Sequence, residues 1–187
     1  MREQIHKSMI ARAKSGDDAA LTAIYDAYKQ KVQRYLYYRI GNLHTAEDLT
    51  TEVFLRVIEN LPAYRFQEAP FQAWVFQIAR NLAVDHFRRQ QHRNHLPLDT
   101  TLPANGDGPD ALAARSVTSE QLSSALHQLT DGQRDVIVLR FIAEMTIADV
   151  AQALGKSESA VKGLQARGLE ALNRVLSKRK VTHEAIG

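Results

Sequence analysis

The 187-residue chain contains no cysteine. That excludes disulfides, thiolate metal sites and a cysteine nucleophile, and it fits a reducing compartment. Long apolar runs are also missing. The longest purely aliphatic stretch is Val136–Leu139, far short of the roughly 20 residues a membrane-spanning helix needs. The opening MREQIHKSMIARAKSGDD has no apolar core of the kind a secretory leader requires. No strand signal of any length and no tandem repeat appears. A phosphate-cradling glycine loop, a carboxylate cluster at metal spacing and a Ser/His/Asp arrangement are absent too, which argues against an enzyme. His86, His92 and His95 lie near one another without a ligand spacing. The expectation is a soluble cytoplasmic protein, not an enzyme, with no metal, no cofactor and no membrane insertion.

What is present is ordinary in amount and uneven in placement. Apolar residues make up 44% and the formal net charge is only +3, yet the pI is near 9.2. Any nucleic-acid signal must therefore lie in how charge is distributed. Three of the five prolines fall within residues 96–118, LPLDTTLPANGDGPDALAARSVT, which has no sustained apolar period. This reads as a flexible linker, although DALAAR in its last third can begin a helix. Fully extended, such a stretch spans at most roughly 75 Å. The organisation expected is all-α: a helical bundle over 1–95, a linker over 96–118, and a second helical domain over 119–187.

In the first domain, DDAALTAIYDAYKQKVQRYLYYRIGN carries apolar residues on one helical face, with Asp17 or Asp18 as cap and Gly41-Asn42 as stop. TAEDLTTEVFLRVIENL follows, with Thr45 and Asp48 at capping-box spacing and Leu49, Val53 and Val57 in one row. PAYRFQEAP is a loop between two prolines, and a helix from Pro70 to Gln90 comes next. The second domain reads as two helices broken near Asp131-Gly132, then two more.

The last pair has a specific pattern. Thr146 caps a short helix, Gly155 makes the turn and Ser157 caps the next helix. Counting from Ile147, small Ala151 is fifth, Gly155 ninth and Val161 fifteenth. This is the spacing of a helix-turn-helix, whose second helix enters the DNA major groove; an ordinary helical hairpin is the plainer reading. Ser157, Glu158, Ser159, Lys162, Gln165 and Arg167 fall on the outward side, where they can reach base edges or phosphates. Six Lys/Arg and one acid lie between Lys162 and Lys180.

On the helix after the loop, Phe71, Trp74, Val75, Ile78 and Leu82 form an apolar stripe. Gln77, Asn81, Val84 and Arg88 form a neighbouring row, with Arg80 beside Asn81 and Arg89 beside Arg88. Amide, guanidinium and aromatic groups on one side suit single-stranded DNA. Tyr64, Arg65, Phe66 and Gln67 supply a loop able to hold a flipped-out base. Trp74 also fits a plain core role. Glu47, Asp48 and Glu52, flanked by Leu49 and Phe54, make an acidic patch that suits either a helix start or a basic protein partner.

TAEDLTTEVFLRVIENLPAYRFQEAPFQAWVFQIARNLAVDHFRRQ resembles region 2 of bacterial RNA polymerase sigma factors, most of all the extracytoplasmic-function (ECF) group. LHQLTDGQRDVIVLRFIAEMTIADVAQALGKSESAVKGLQARGLEAL resembles region 4. The resemblance implies that the helix with Glu47, Asp48, Leu49, Glu52 and Phe54 docks on the β′ clamp helices of core RNA polymerase, the β subunit being a further contact. It implies that Tyr64–Gln67 capture an unstacked base of the −10 element, with Trp74, Gln77, Arg80, Asn81, Arg88 and Arg89 near the melted strand and its upstream duplex. Ser157, Glu158, Ser159, Lys162, Gln165 and Arg167 are then on the −35 helix, and the linker threads toward the RNA path. An anti-sigma factor is a further partner of such proteins. Thr51 stands where the family usually has Gln, and Leu164 and Leu169 stand at usual Arg positions, so the −35 sequence is not inferred. The other reading is a stand-alone helix-turn-helix regulator.

Overall fold

The computed structural model describes the backbone of residues 2–94 and 113–184, and the side chains of 7–92 and 119–177 within them. The described residues form helices and turns without a strand. Helix α1 (Arg2–Lys14) was not expected from its sparse apolar residues. Among its described side chains Ile10 and Ala13 are buried, and the chain turns at Gly16 with φ +83°.

Helix α2 (Asp18–Ile40) starts where the sequence places it: the Asp17 carboxylate accepts from the Ala20 N–H at 3.1 Å. It stops at Gly41, φ +84°, whose N–H returns to the Tyr37 carbonyl. Helix α3 (Leu43–Asn60) departs from expectation at its start. The cap is Asn42, whose side chain accepts from the Thr45 N–H at 2.9 Å. The Thr45/Asp48 capping box does not form, because Asn42 already occupies the cap and Asp48 falls in the second turn. A 3₁₀ turn (Leu61–Ala63) and a loop lead to α4 (Phe71–Asn94), which opens with the Trp74 N–H bonded to the Pro70 carbonyl at 3.0 Å. Helices α2, α3 and α4 bury Val32, Tyr35, Leu36, Val53, Val57, Val75 and Phe76 between them. The Tyr35 and Phe76 rings meet edge to face at 5.6 Å.

The second domain holds α5 (Ala113–Leu126), α6 (Asp131–Phe141), α7 (Ile147–Leu154) and α8 (Glu158–Glu184). Helix α5 begins inside the stretch expected as linker, while residues 96–112 of that stretch lie outside the described residues. The break expected near Asp131-Gly132 falls at residues 127–130, and Asp131 and Gly132 form the first turn of α6. Thr130 caps it in a full capping box with Gln133, and a helix so capped tolerates Gly132 in its first turn. The α7–turn–α8 geometry follows the sequence. Thr146 accepts from the Asp149 N–H at 3.1 Å, Gly155 is left-handed at φ +61°, and Ser157 accepts from the Ala160 N–H at 3.2 Å. Val161 is fully buried. Helices α6 and α8 approach closely at Gly168, where a Cβ would stand 3.0 Å from Ile137 Cγ1.

The two domains pack on one another. Helix α7 lies against α4, and α6 lies against α2. Gln72 donates to the Ala143 carbonyl at 3.1 Å, and Lys31 pairs with Glu144 at 3.5 Å. The His127 ring rests on Gly41, 3.1 Å from where a Cβ would be.

Candidate nucleic-acid interface

Helix α4 separates two kinds of surface. Phe71, Val75 and Leu82 are buried, while Gln77, Asn81, Arg88 and Arg89 are exposed. Trp74 is neither a plain core residue nor free. It is half-buried against Tyr64 at 4.8 Å and Phe71 at 5.5 Å. Between this row and the preceding loop lies an open cavity of ≈ 550 Å³. Tyr64, Arg65, Trp74, Gln77 and Asn81 line it together with Gln152 of α7. Of the loop residues, Arg65 and Gln67 are exposed, Phe66 is half-buried and Tyr64 is buried. Burial pushes the Tyr64 phenol up to about 12, so it stays protonated and donates to the Ala69 carbonyl at 2.7 Å.

Sequence reasoning missed what braces this loop. Lys14 of α1 donates to the Tyr64 carbonyl at 2.6 Å. Lys7 stands over the Phe66 ring at 4.3 Å.

On α3, Glu47 and Asp48 are exposed and Glu52 is half-buried, pairing with Arg56 at 3.3 Å. Leu49 and Phe54 do not share that surface. Both are buried, Phe54 against Tyr25 at 4.8 Å, because the row that includes Val53 and Val57 faces the bundle. The large apolar groups beside the acids are Leu55 and Ile58, 57% and 50% exposed. An apolar pair at i, i+3 outside the core row was the signal that could have found them.

On α8, Ser157, Glu158, Ser159, Lys162 and Arg167 are exposed. Gln165 is half-buried and accepts from Arg140 Nε at 3.1 Å. Leu164 packs toward Gly132, and Leu169 is exposed.

Arg80 behaves differently from its neighbours. Its Nε lies 3.4 Å from the Asp135 carboxylate of α6. Arg39 of α2 approaches the same carboxylate at 3.1 Å and donates to Asp131 at 2.8 Å. The Tyr35 hydroxyl donates to Asp135 at 3.1 Å. Burial pushes the Asp135 carboxyl up against the pull of Arg39 and Arg80. At Asp131, the hydrogen bond from Arg39 holds the carboxyl low. Among the described residues no group of three or more His, Asp or Glu converges on a metal position; His95 lies outside them. No described helix is long and apolar enough to cross a membrane.

Two families match in the order the motifs run: Sigma-70 region 2 over residues 24–93 and Sigma-70, region 4 over residues 125–174. The chain is 31% identical to the ECF RNA polymerase sigma factor SigW of Bacillus subtilis, over 93% of this chain and 98% of that one. The chain belongs to the ECF RNA polymerase sigma factors. As such it is a promoter-recognising initiation factor, and a stand-alone helix-turn-helix regulator leaves the region 2 match without an account. It is also 36% identical to the ECF sigma factor BldN of Streptomyces coelicolor, over 90% of this chain and 64% of that protein. Among solved structures, CnrH in complex with the cytosolic domain of CnrY shares the fold at TM-score 0.73 and 24% identity, over 91% of this chain and 96% of that one. RpoE in complex with the anti-sigma factor NepR, from Bartonella quintana, shares it at TM-score 0.65 and 18% identity, over 83% and 96%.

Proposed function

We propose that this sigma factor acts in the cytoplasm without catalysis of its own, binding core RNA polymerase through α3 and holding promoter DNA through α4 and α8. The observation that carries the reading is the division of α4. One side anchors it in the bundle; the other exposes Gln77, Asn81 and Arg88, and Gln77 and Asn81 line an open cavity together with Trp74 and, from the preceding loop, Tyr64 and Arg65. A flipped base fits between such an aromatic wall and amide donors, and guanidiniums suit the flanking phosphates. Holding unpaired bases shifts the duplex equilibrium toward melting.

The α3 surface that meets the β′ clamp helices then comprises Glu47, Asp48 and Glu52 with Leu55 and Ile58, while Leu49 and Phe54 support it from beneath. The β subunit is a further contact. Exposed Ser157, Glu158, Ser159, Lys162 and Arg167 read or position on the −35 duplex, and Gln165 joins them once Arg140 releases it. Structures of related folds are complexes with CnrY and with the anti-sigma factor NepR, and an inhibitory partner of that kind is proposed here too.

In vitro transcription tests the reading. The purified chain is added to bacterial core polymerase on a fragmented genomic library and the transcripts are sequenced. Starts preceded by a shared pair of short elements are expected. With a control sigma active, no starts above core alone would refute it.

A further inference from the structure

Arg39 and Arg80 come from different helices of the first domain, and both turn toward one carboxylate of the second. Asp135 is 97% buried, with Arg39 Nε at 3.1 Å, Arg80 Nε at 3.4 Å and the Tyr35 hydroxyl at 3.1 Å. Asp131 adds a second carboxylate on Arg39 at 2.8 Å. The pairing is close in charge but poor in direction: the buried Nε of Arg39 and the buried Nε of Arg80 each lack a hydrogen bond. Native structures rarely leave buried donors unsatisfied, and each such case calls for an explanation.

The surroundings suggest what else these guanidiniums hold. Arg80 sits beside Asn81 on the helix whose exposed row we assign to DNA. Arg88 lies further along the same helix, and Phe87 stacks under Arg39 at 5.4 Å. With the second domain removed, Arg39 and Arg80 would face outward beside Arg88. A backbone phosphate offers two anionic oxygens, as a carboxylate does, but set tetrahedrally and at the surface of an extended polyanion, and it suits forked guanidinium donors.

Closure also conflicts with reading two promoter elements at once. Positions −35 and −10 are about 25 base pairs, or about 85 Å, apart along a duplex. Helix α7, joined to the recognition helix α8 by the tight turn at Gly155, rests on α4, and packed helices lie only about 8–10 Å apart. The domains must part for both elements to be engaged.

We infer that Arg39 and Arg80 form a DNA-phosphate site that Asp135, assisted by Asp131, occupies in the closed chain, so that domain closure and promoter binding compete for the same two guanidiniums. The inference rests on the assignment of α4 to promoter DNA. It adds Arg39 to that surface and makes Asp135 an internal stand-in for a phosphate.

The absence of cysteine allows a clean test. Gln30→Cys and Asn173→Cys, both at exposed positions, carry a donor and an acceptor dye on the full chain. A promoter-length duplex is titrated with a salt series. Asp135→Asn is expected to lower energy transfer and to tighten binding about tenfold, with a salt slope steeper by about two, one for each freed guanidinium. Adding Arg39→Gln and Arg80→Gln keeps the chain open but returns affinity and slope to the starting level.

Folding is controlled within one molecule. Lys31→Cys and Glu144→Cys span the interface at an ion pair and are joined by a bis-maleimide containing a reducible disulfide. The joined chain is expected to lose duplex binding, and reductant to restore it. If Asp135→Asn leaves energy transfer and affinity unchanged, or if the joined chain binds as tightly as the reduced one, the inference is overturned. If the open triple variant binds as tightly as Asp135→Asn, the phosphate assignment is overturned. Asn81→Ala separates this from the underlying assignment: loss of melted-strand capture there, with the Asp135, Arg39 and Arg80 variants inert, leaves the α4 assignment standing and removes only the competition.

Discussion

Lys14 and Tyr64 are 50 positions apart in sequence, yet the Lys14 ammonium donates to the Tyr64 carbonyl at 2.6 Å. The bond ties α1 to the start of the loop that borders the α4 cavity. A charged donor of this kind is worth about 1.5–3 kcal/mol, so it can set the loop's position at little cost elsewhere. Lys14→Met is expected to speed amide exchange across residues 64–69 by about tenfold, since a factor of ten corresponds to about 1.4 kcal/mol. Core binding should be unchanged and open-complex formation reduced. Hydrogen-exchange mass spectrometry and a strand-opening assay check both halves.

The α3 surface yields a second expectation. Leu55 is 57% exposed and Ile58 50% exposed, so replacing either costs little fold stability. Leu55→Arg is expected to weaken core polymerase binding at least about tenfold, the scale of a buried anchor at an interface. Melting temperature should stay within a degree or so of the parent. A loss of melting temperature matching the loss of binding would return Leu55 to a structural role.

Gly155 gives a prediction about the helix-turn-helix itself. Its φ is +61° and nothing lies within 4 Å of an added Cβ, so only backbone conformation resists substitution. Gly155→Ala is expected to cost about 1 kcal/mol, and Gly155→Asn distinctly less, because Asn tolerates the left-handed region. Chemical denaturation of the full chain reads the difference. Gly168→Ala meets a different obstacle, the Ile137 side chain at 3.0 Å, and overpacking there is expected to cost about 1–3 kcal/mol.

The acid response of the interdomain cluster has a defined sign. Asp131 is held below its ordinary range by the hydrogen bond from Arg39. Its contribution is therefore present above the ordinary carboxylate range and is lost as pH falls through the lowered value. Arg39→Gln is expected to return the Asp131 titration toward its ordinary position. An NMR pH titration of the carboxyl carbons measures the move, and no move would place the cause elsewhere.

Local chemistry explains which features were legible in the sequence. Asp17, Thr146, Gly155 and Ser157 announced their helix ends because a cap acts within three or four residues. Two caps within three positions of each other misled at α3, where Asn42 took the role given to Thr45. Asp131-Gly132 marked the α5–α6 break to within a few residues, and the capping box of Thr130 and Gln133 sets the boundary itself. Composition does not separate Leu49 and Phe54 from Leu55 and Ile58, since both pairs are apolar; helical position does, because Leu49 shares the row of Val53 and Val57 while Leu55 and Ile58 lie outside it. The Asp135 cluster had no local signature: Arg39, Arg80 and Asp135 are far apart in sequence and meet only through packing between domains.

Gly41 serves the fold of one domain and the approach of the other. Its φ of +84° ends α2, and its bare α-carbon leaves room for the His127 ring. The two demands are thermodynamically coupled. A side chain at 41 is penalised once by the backbone and again by the neighbouring imidazole, and trimming His127 relieves only the second penalty. A double-mutant cycle between the two positions therefore isolates the share of the Gly41 requirement that belongs to closure. The interaction energy should vanish when the domains are held apart, which turns a helix terminus into a reporter of quaternary-like contact within one polypeptide.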